Sequence, residues 1–468
     1  MAGRFLKAFK PISRYLPEVA MPDRRVSLSE KIFWTLIVLG IYYVMCEIPL
    51  YGVGKGEDPL TYLRVIFASS RGSLMELGIG PIVTAGIILQ LLAASDMIEC
   101  NFAVEEDRAL FTAASKFLSI VLTGVNAAAY IIGGVYGKLE AKVAMIVFLE
   151  LLATGIVLIL LDELLQKGWG LGSGISLFIL AGVAKQIWWQ SFAPIMMGDK
   201  MYYGGVLATI QAAINRDWKS LFLRSGGYPC LLGLITTVTV FLICMYMQGM
   251  RVEIPISYAR FRGYRGRYPI SLLYVSNIPV IFTSALFANI YLWSHVIWSN
   301  FNKNNTNFWL NLIGTFKMTE QGLRPVGGLV YYVISPGSLT NALANPLQSL
   351  VYMILMISFC AVFSITWLEV GGLDPRTVAR QLVDAGMQVP GFRRSSRPIE
   401  ALLKRYIPTV TILGGILVGL LAAFSDFLGA YGTGTGILLS VGIIYQYYQI
   451  LMQERISEMY PALRKFLE

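Results

Sequence analysis

Val410-Thr-Ile-Leu-Gly-Gly-Ile-Leu-Val-Gly-Leu-Leu421 is a run without charge and without the polar/apolar alternation of a barrel strand. A stretch of this kind belongs in lipid, where every backbone N–H and C=O must be satisfied inside the spanning structure. Without strand alternation, that structure is a helix. The rest of the 468-residue chain has the same character: 14% of its residues are charged and 56% are hydrophobic, whereas a soluble chain carries about 25% charged residues. The expected fold class is all-α, a polytopic membrane protein. A window of roughly 20 apolar residues per span gives ten transmembrane helices, near 32–50, 80–95, 117–136, 143–161, 172–188, 229–247, 271–298, 347–368, 407–428 and 435–452.

Arg4, Lys7, Lys10, Arg14, Arg24 and Arg25 lie among Pro11, Pro17 and Pro22 before the first span. No apolar segment precedes a cleavage site there, so no removable signal peptide is expected. Ten spans put both termini on one face, and the two faces divide the 38 Lys and Arg residues as 25 on the terminal side and 13 opposite. The excess predicts cytosolic termini. The sequon Asn304-Asn305-Thr306 falls on the other face, in agreement. Cys46, Cys100, Cys230, Cys244 and Cys360 are scattered and odd in number, which reads as packing rather than a disulfide framework.

The expected organisation is an N-terminal segment 1–31, a five-helix half 32–188, a non-cytosolic loop 189–228, a second half 229–452 with cytosolic loops 251–269 and 369–406, and a tail 453–468. An odd number of helices per half makes the second an inverted copy of the first. Pro81 and Pro279, read as internal prolines at matching places in the second helix of each half, point to the functional interface.

Chemistry-bearing motifs are scarce. No GxxxxGK[ST] loop occurs, Gly133 to Lys138 being the nearest approach, so the chain carries no ATP engine of its own. His295 has no HExxH partner and reads as a packed or interfacial histidine. No catalytic centre, cofactor site or metal site is expected, and the chain is not read as an enzyme. Among the acids, Glu47 and the Asp162-Glu163 pair are expected near water at span ends. Glu150 is read as the one deep acid, hydrogen-bonded and facing the bundle. Three glycine-rich stretches open spans with small residues that let helices approach closely: Glu76-Leu-Gly-Ile-Gly-Pro-Ile-Val-Thr-Ala-Gly86, Lys167-Gly-Trp-Gly-Leu-Gly-Ser-Gly-Ile-Ser-Leu177 and Gly432-Thr-Gly-Thr-Gly-Ile-Leu-Leu439.

Those stretches, with Ser276-Asn-Ile-Pro279, Leu161-Asp-Glu-Leu-Leu-Gln-Lys167 and the opening Phe9-Lys-Pro-Ile to Pro22-Asp-Arg-Arg, resemble the SecY family in the form of the α subunit of eukaryotic Sec translocons. The motifs occur in order from near the N-terminus to the last span. The resemblance implies an hourglass channel whose halves hinge like a clamshell around an apolar pore ring. By motif position the ring is Ile79, Val83, Ile87, Ile175, Ile179, Ile281 and Leu439. The i, i+4, i+8 spacing of the first three and the i, i+4 spacing of Ile175 and Ile179 put each set on one helix face. A ring of this kind stays dewetted against ions.

The resemblance further implies a plug over 54–75, carrying Arg64 and Arg71, and a lateral gate between the second and third helices and the seventh and eighth. Asn126 and Asn289 take the polar gate positions, where relatives often carry Gln in place of Asn126. Cytosolic arginines Arg260, Arg262, Arg265, Arg393 and Arg394 are implied to dock ribosomal RNA through phosphate contacts. The implied location is the endoplasmic reticulum membrane. The implied partners are two small single-span subunits (beta and gamma), the ribosome with its RNA, signal sequences and nascent polypeptides, a post-translational accessory membrane complex with a lumenal chaperone, and membrane lipid. A secondary transporter would share inverted repeats and broken helices but needs a polar midplane site, and the implied ring is aliphatic.

Overall fold

The computed structural model describes residues 9–53, 69–94, 97–98, 105–137, 139–196, 201–222, 224, 228–258, 265–275, 278–303, 305–319, 322–384, 387–388 and 396–459. Each expected span is a helix: α1 (Leu28–Glu47), α2 (Gly80–Ala94), α3 (Glu105–Ile132), α4 (Ala141–Leu164), α5 (Gly174–Phe192), α6 (Leu231–Gly249), α7 (Ile278–Phe301), α8 (Pro346–Val370), α9 (Ser396–Phe427) and α10 (Gly434–Met459). Among the described residues, eight are long and apolar enough to cross a membrane. The two outside that set have physical reasons to be. At 15 residues, α2 is too short by itself, and α5 carries Lys185, Gln186 and Gln190.

Helix starts follow local chemistry. Ser27 and Glu30 form a reciprocal capping box at α1, and Pro346 opens α8. Pro81 and Pro279 are not internal, contrary to the expectation from sequence. Each is the second residue of its helix, α2 or α7. A proline there loses no intrahelical hydrogen bond, because first-turn N–H groups have no partner in any case. The two positions still match between the halves, so the symmetry stands while the interruption does not.

The glycines of Val410–Leu421 bring α9 against its neighbours. A Cβ on Gly415 would lie 2.3 Å from Ser364 Oγ on α8, and one on Gly419 would lie 3.0 Å from Ile357 Cα. Lipid tails are as apolar as leucine, so helices in a membrane gain by such close approach rather than by hydrophobic burial. A pair between Lys31 and Glu454 joins the start of α1 to the end of α10, and Glu18 of the N-terminal segment reaches Lys167 after α4. Both ends of the described chain are therefore on one face.

Two β-structures stand outside the helical expectation. Strands β1 (Arg251–Tyr258) and β2 (Arg265–Ser271) form an antiparallel hairpin, and β3 (Thr315–Thr319) pairs with β4 (Gly322–Gly327) on the opposite face. A further short strand, β5 (Met387–Gln388), pairs with β1 at Tyr258 and Ser257, which joins the two basic loops in one sheet. The amphipathic helix Pro375–Asp384 buries Val378, Ala379 and Leu382 beneath this sheet, with Ile254, Ile270 and the first turns of α9.

Candidate functional site

The expected ring residues come together. Ile79, Ile179 and Leu439 are buried in one cluster against which Val83, Ile175 and Ile281 pack. Ile87 lies in the adjoining cluster with Phe282, Ala285 and Phe363, and Val83 and Ile281 belong to both. Four spans, α2, α5, α7 and α10, thus contribute aliphatic side chains from both halves to two adjoining clusters. Ile79 is 0% exposed, and Ile179 and Leu439 are each 1% exposed, so these three side chains are packed inside protein. The local geometry begins at the Gly-Ile-Gly-Pro turn. The Ile79 carbonyl accepts the N–H of Val83 at 3.0 Å, making Ile79 the cap of α2 and putting it in register with Val83 and Ile87.

On the cytosol-expected side of the ring a vestibule opens between α5, α6, α7 and α10. Ser176, Gln248, Arg251, Ser271, Gln446 and Gln449 line it, with Ile281 and Leu439 at its floor. The lining mixes these polar groups with Pro269, Leu273, Ile278 and Ile443, carries one charge, Arg251, and ends on the apolar ring residues.

Asp162 orients the fifth span. Its carboxylate accepts from Ser173 Oγ and from the Ile175 N–H, both at 3.0 Å, and from Gln166 Nε2 at 2.7 Å. An acid at a helix N-terminus satisfies donors that have no partner within the helix, and here it sets the turn that presents Ile175 and Ile179. Glu163 is 8% exposed and bridges Lys116 of α3 at 2.6 Å and Lys167 at 2.9 Å. Asp162 and Glu163 are therefore buried in protein contacts rather than near water, correcting the expectation for span ends.

Asn289 of α7 faces the other half. Its amide donates to Thr84 Oγ1 of α2 at 3.0 Å and to the Ala285 carbonyl at 2.7 Å, so both amide protons are taken. The partner across the seam is Thr84, not Asn126, which sits half-buried on α3 a helix away. Thr84 belongs to the glycine-rich stretch Glu76–Gly86, but its role depends on which face of α2 meets α7.

Glu150 accepts the Tyr51 N–H at 3.1 Å, tying α4 to the end of α1. A second acid of the spans, at a helix end, is more fully buried. Asp426, 3% exposed near the end of α9, accepts from Tyr352 Oη at 2.8 Å and from the Gly434 N–H at 2.7 Å. Its place in the span 407–428, followed by a glycine-rich turn, was the signal available for it. His295 packs among the rings of Tyr291, Trp298 and Phe316.

Arg71 lies half-buried in the turn before Ser73. Arg265 opens β2, opposite Ser257 of β1. Arg64, Arg260, Arg262, Arg393 and Arg394, with Asn304 and Cys100, lie outside the described residues.

Comparison with known proteins identifies the family and the fold. The family model described as SecY matches residues 73–448, and that described as the plug domain of Sec61p matches residues 41–72, overlapping the expected plug. The protein translocase subunit SecY of Pyrococcus horikoshii is 43% identical, over 98% of this chain and 98% of its own. A solved protein-conducting channel superposes with a TM-score of 0.82 at 38% identity, covering 97% of this chain and 98% of that one. Sec61 in the canine ribosome-channel complex from the endoplasmic reticulum superposes at 0.79 and 37% identity, covering 97% and 98%.

Proposed function

The chain belongs to the SecY family of protein-conducting channels, and from that premise we propose that it is the pore-forming subunit of the channel of the endoplasmic reticulum membrane. In this reading it passes secretory polypeptides across the membrane and releases membrane segments sideways into lipid. The observation that carries the reading is the buried aliphatic cluster contributed by α2, α5, α7 and α10 from both halves, beside a vestibule of mixed polar and apolar lining. An extended chain can slide through such a ring because aliphatic side chains offer it no directional bonds, and the ring closes to a dewetted barrier when the chain has passed. A small-solute transporter would instead present convergent polar groups at this depth.

The lateral gate in this proposal is the seam of α2 and α3 with α7 and α8, held by the Asn289 to Thr84 bond and apolar contacts. The plug is the segment 54–75. The sheet that joins loops 251–269 and 369–406 supports a single docking surface for ribosomal RNA, with Arg260, Arg262, Arg265, Arg393 and Arg394 contacting phosphates. Cytosolic termini follow from the basic-residue asymmetry. The endoplasmic reticulum assignment is supported by the likeness to the canine channel. The partners in this reading are the beta and gamma single-span subunits, the ribosome, signal sequences, the accessory complex with its lumenal chaperone, and lipid.

The test replaces Val83, Ile179 and Ile281 together with Ser and measures resting conductance in planar bilayers. The expected outcome is an ion leak through a hydrated constriction. Resting conductance equal to that of the unaltered channel, in a protein that still folds, would remove the ring from the proposal.

A further inference from the structure

The short helix Phe308–Ile313, between α7 and β3, is built inside out. Its outward face carries Phe308, Trp309, Leu312 and Ile313, with Phe308 69% and Trp309 75% exposed. At 100° per residue, positions i, i+1, i+4 and i+5 share one side, so this is a continuous apolar face. Its inward side is polar. Asn311 accepts from Asn302 Nδ2 at 2.8 Å and donates to the Asn305 carbonyl at 3.0 Å. Asn305 accepts from Trp298 Nε1 at 2.8 Å, and Asn302, 3% exposed, accepts the N–H of Asn307 at 3.2 Å. In water the opposite arrangement is favoured, with apolar side chains turned in and amides turned out. A segment that turns three asparagine side chains, Asn302, Asn305 and Asn311, inward and two aromatic rings outward is made for surroundings less polar than water.

The helix is also held rigidly on the seventh span. Gly314 closes it against α7 so tightly that a Cβ would lie 2.3 Å from Ser294 Oγ. The outward side of α7 exposes Trp293, 42% exposed, and ends in Phe301, 77% exposed, so an exposed aromatic surface runs along the span toward the helix. Lys303, in the connection, is exposed and suited to a lipid phosphate. Aromatic rings with flanking lysines are what the membrane interface selects.

We propose that the Phe308–Ile313 helix is an interfacial anchor that inserts Phe308, Trp309 and Leu312 into the leaflet facing away from the termini. The occupant of this apolar face is the lipid surface itself. The Asn302, Asn305, Asn307 and Asn311 network holds the helix in the membrane plane, so that the far end of α7 is moored to lipid by a rigid outrigger rather than by a loop. An anchor of this kind requires only that the chain span a membrane, whatever passes through it.

The test uses the full chain, purified with whatever subunits accompany it, in nanodiscs of phosphatidylcholine with or without acyl-chain bromine. The emission lost on Trp309→Phe isolates that one indole. Bromolipid is expected to quench this component strongly, and aqueous iodide to leave it nearly untouched. In Phe308→Asp with Leu312→Asp, the bromolipid quenching of Trp309 is expected to fall severalfold as the tip leaves the leaflet. Iodide quenching without bromolipid quenching in the unaltered protein would overturn the proposal in favour of water. Protection from both quenchers would overturn it in favour of a protein partner. Full bromolipid quenching in the double aspartate variant would show that the apolar face is not what holds the helix in lipid.

Discussion

The two halves of the molecule meet along two edges made of different chemistry. Where α2 and α3 face α7 and α8, the contact is largely aliphatic and aromatic: Ile87 against Phe282 and Phe363, and Ala127 and Tyr130 in one cluster with Ala288 and Tyr291. It carries the Asn289 to Thr84 bond and one from Ser299 to the Gly133 carbonyl. Where α1 and α5 face α10, directional bonds accumulate. Gln190 accepts the Gly432 N–H at 2.7 Å, Tyr447 donates to the Ser173 carbonyl at 3.0 Å, and Lys31 pairs with Glu454. Nearby, Tyr431, 1% exposed, donates to the Cys230 carbonyl at 2.8 Å. Apolar surfaces slide and re-pack at small cost, whereas a lost buried hydrogen bond leaves an unsatisfied group costing about 1–3 kcal/mol. In the proposed reading, the first edge is the one that parts and the second the one that keeps its register.

Glycine substitutions probe the contrast most strongly. A Cβ on Gly205 would lie 1.7 Å from the Tyr431 hydroxyl, so Gly205→Ala is expected to cost about 1–3 kcal/mol through overpacking. On α2, a Cβ on Gly86 would meet nothing within 4 Å, and Gly86→Ala is expected to be neutral or to gain up to about 1 kcal/mol from helix propensity. Thermal unfolding of both variants in the same detergent checks this. Equal losses would erase the distinction between the edges.

Removing one bond from each edge sharpens it. Gln190→Ala leaves the Gly432 N–H without its acceptor and is expected to destabilise the closed protein by about 1–3 kcal/mol. On the parting edge, Thr84→Val and Asn289→Leu should each remove only about 0.6 kcal/mol, the average for such bonds in membranes, or roughly a threefold shift between closed and open. A double-mutant cycle read by cysteine crosslinking across the seam should show the two to be non-additive. Asn126→Leu, which touches neither partner, should leave the crosslinking yield where it was. A yield that responds to Asn126 as strongly as to Thr84 would return the bond to α3.

The smallest expected effect belongs to the N-terminal segment. The hydrogen bond from Lys167 holds the Glu18 carboxyl below its ordinary 4.5. Because the folded value is the lower one, this contribution is present above the ordinary value and is lost as the pH falls through the folded one. Glu18 is mostly exposed, so solvent screening keeps the effect small. Limited proteolysis of the N-terminal segment should quicken in mild acid in the unaltered protein and be pH-independent in this range in Glu18→Gln.

All ten spans and the common side of the termini were legible in the amino-acid order, while the aliphatic residues that cluster together were named from the resemblance to the SecY family. Apolar length, basic-residue bias and i, i+4 spacing are properties of a chain in lipid before any tertiary contact forms. The β1–β2 hairpin was not legible, because a basic loop with Pro255 and Pro269 carries no strand alternation strong enough to compete with its charge pattern. Nor was the burial of Asp162 and Glu163, since position near a span end says how close water is along the membrane normal but not whether a neighbouring helix shuts it out.

The sequence by itself determined that this chain lives in a membrane and how many times it crosses, because both follow from local composition against a solvent of fixed thickness. Only the tertiary structure decided that Asn289 bonds Thr84, that Asp162 caps the fifth span, that Asp426 is buried beneath Tyr352 and that the helix at Phe308–Ile313 turns its aromatics outward. Those outcomes depend on the rotation of each helix about its own axis. In a membrane that rotation is set by close packing and a few hydrogen bonds between segments far apart in the chain, not by the chain's local pattern.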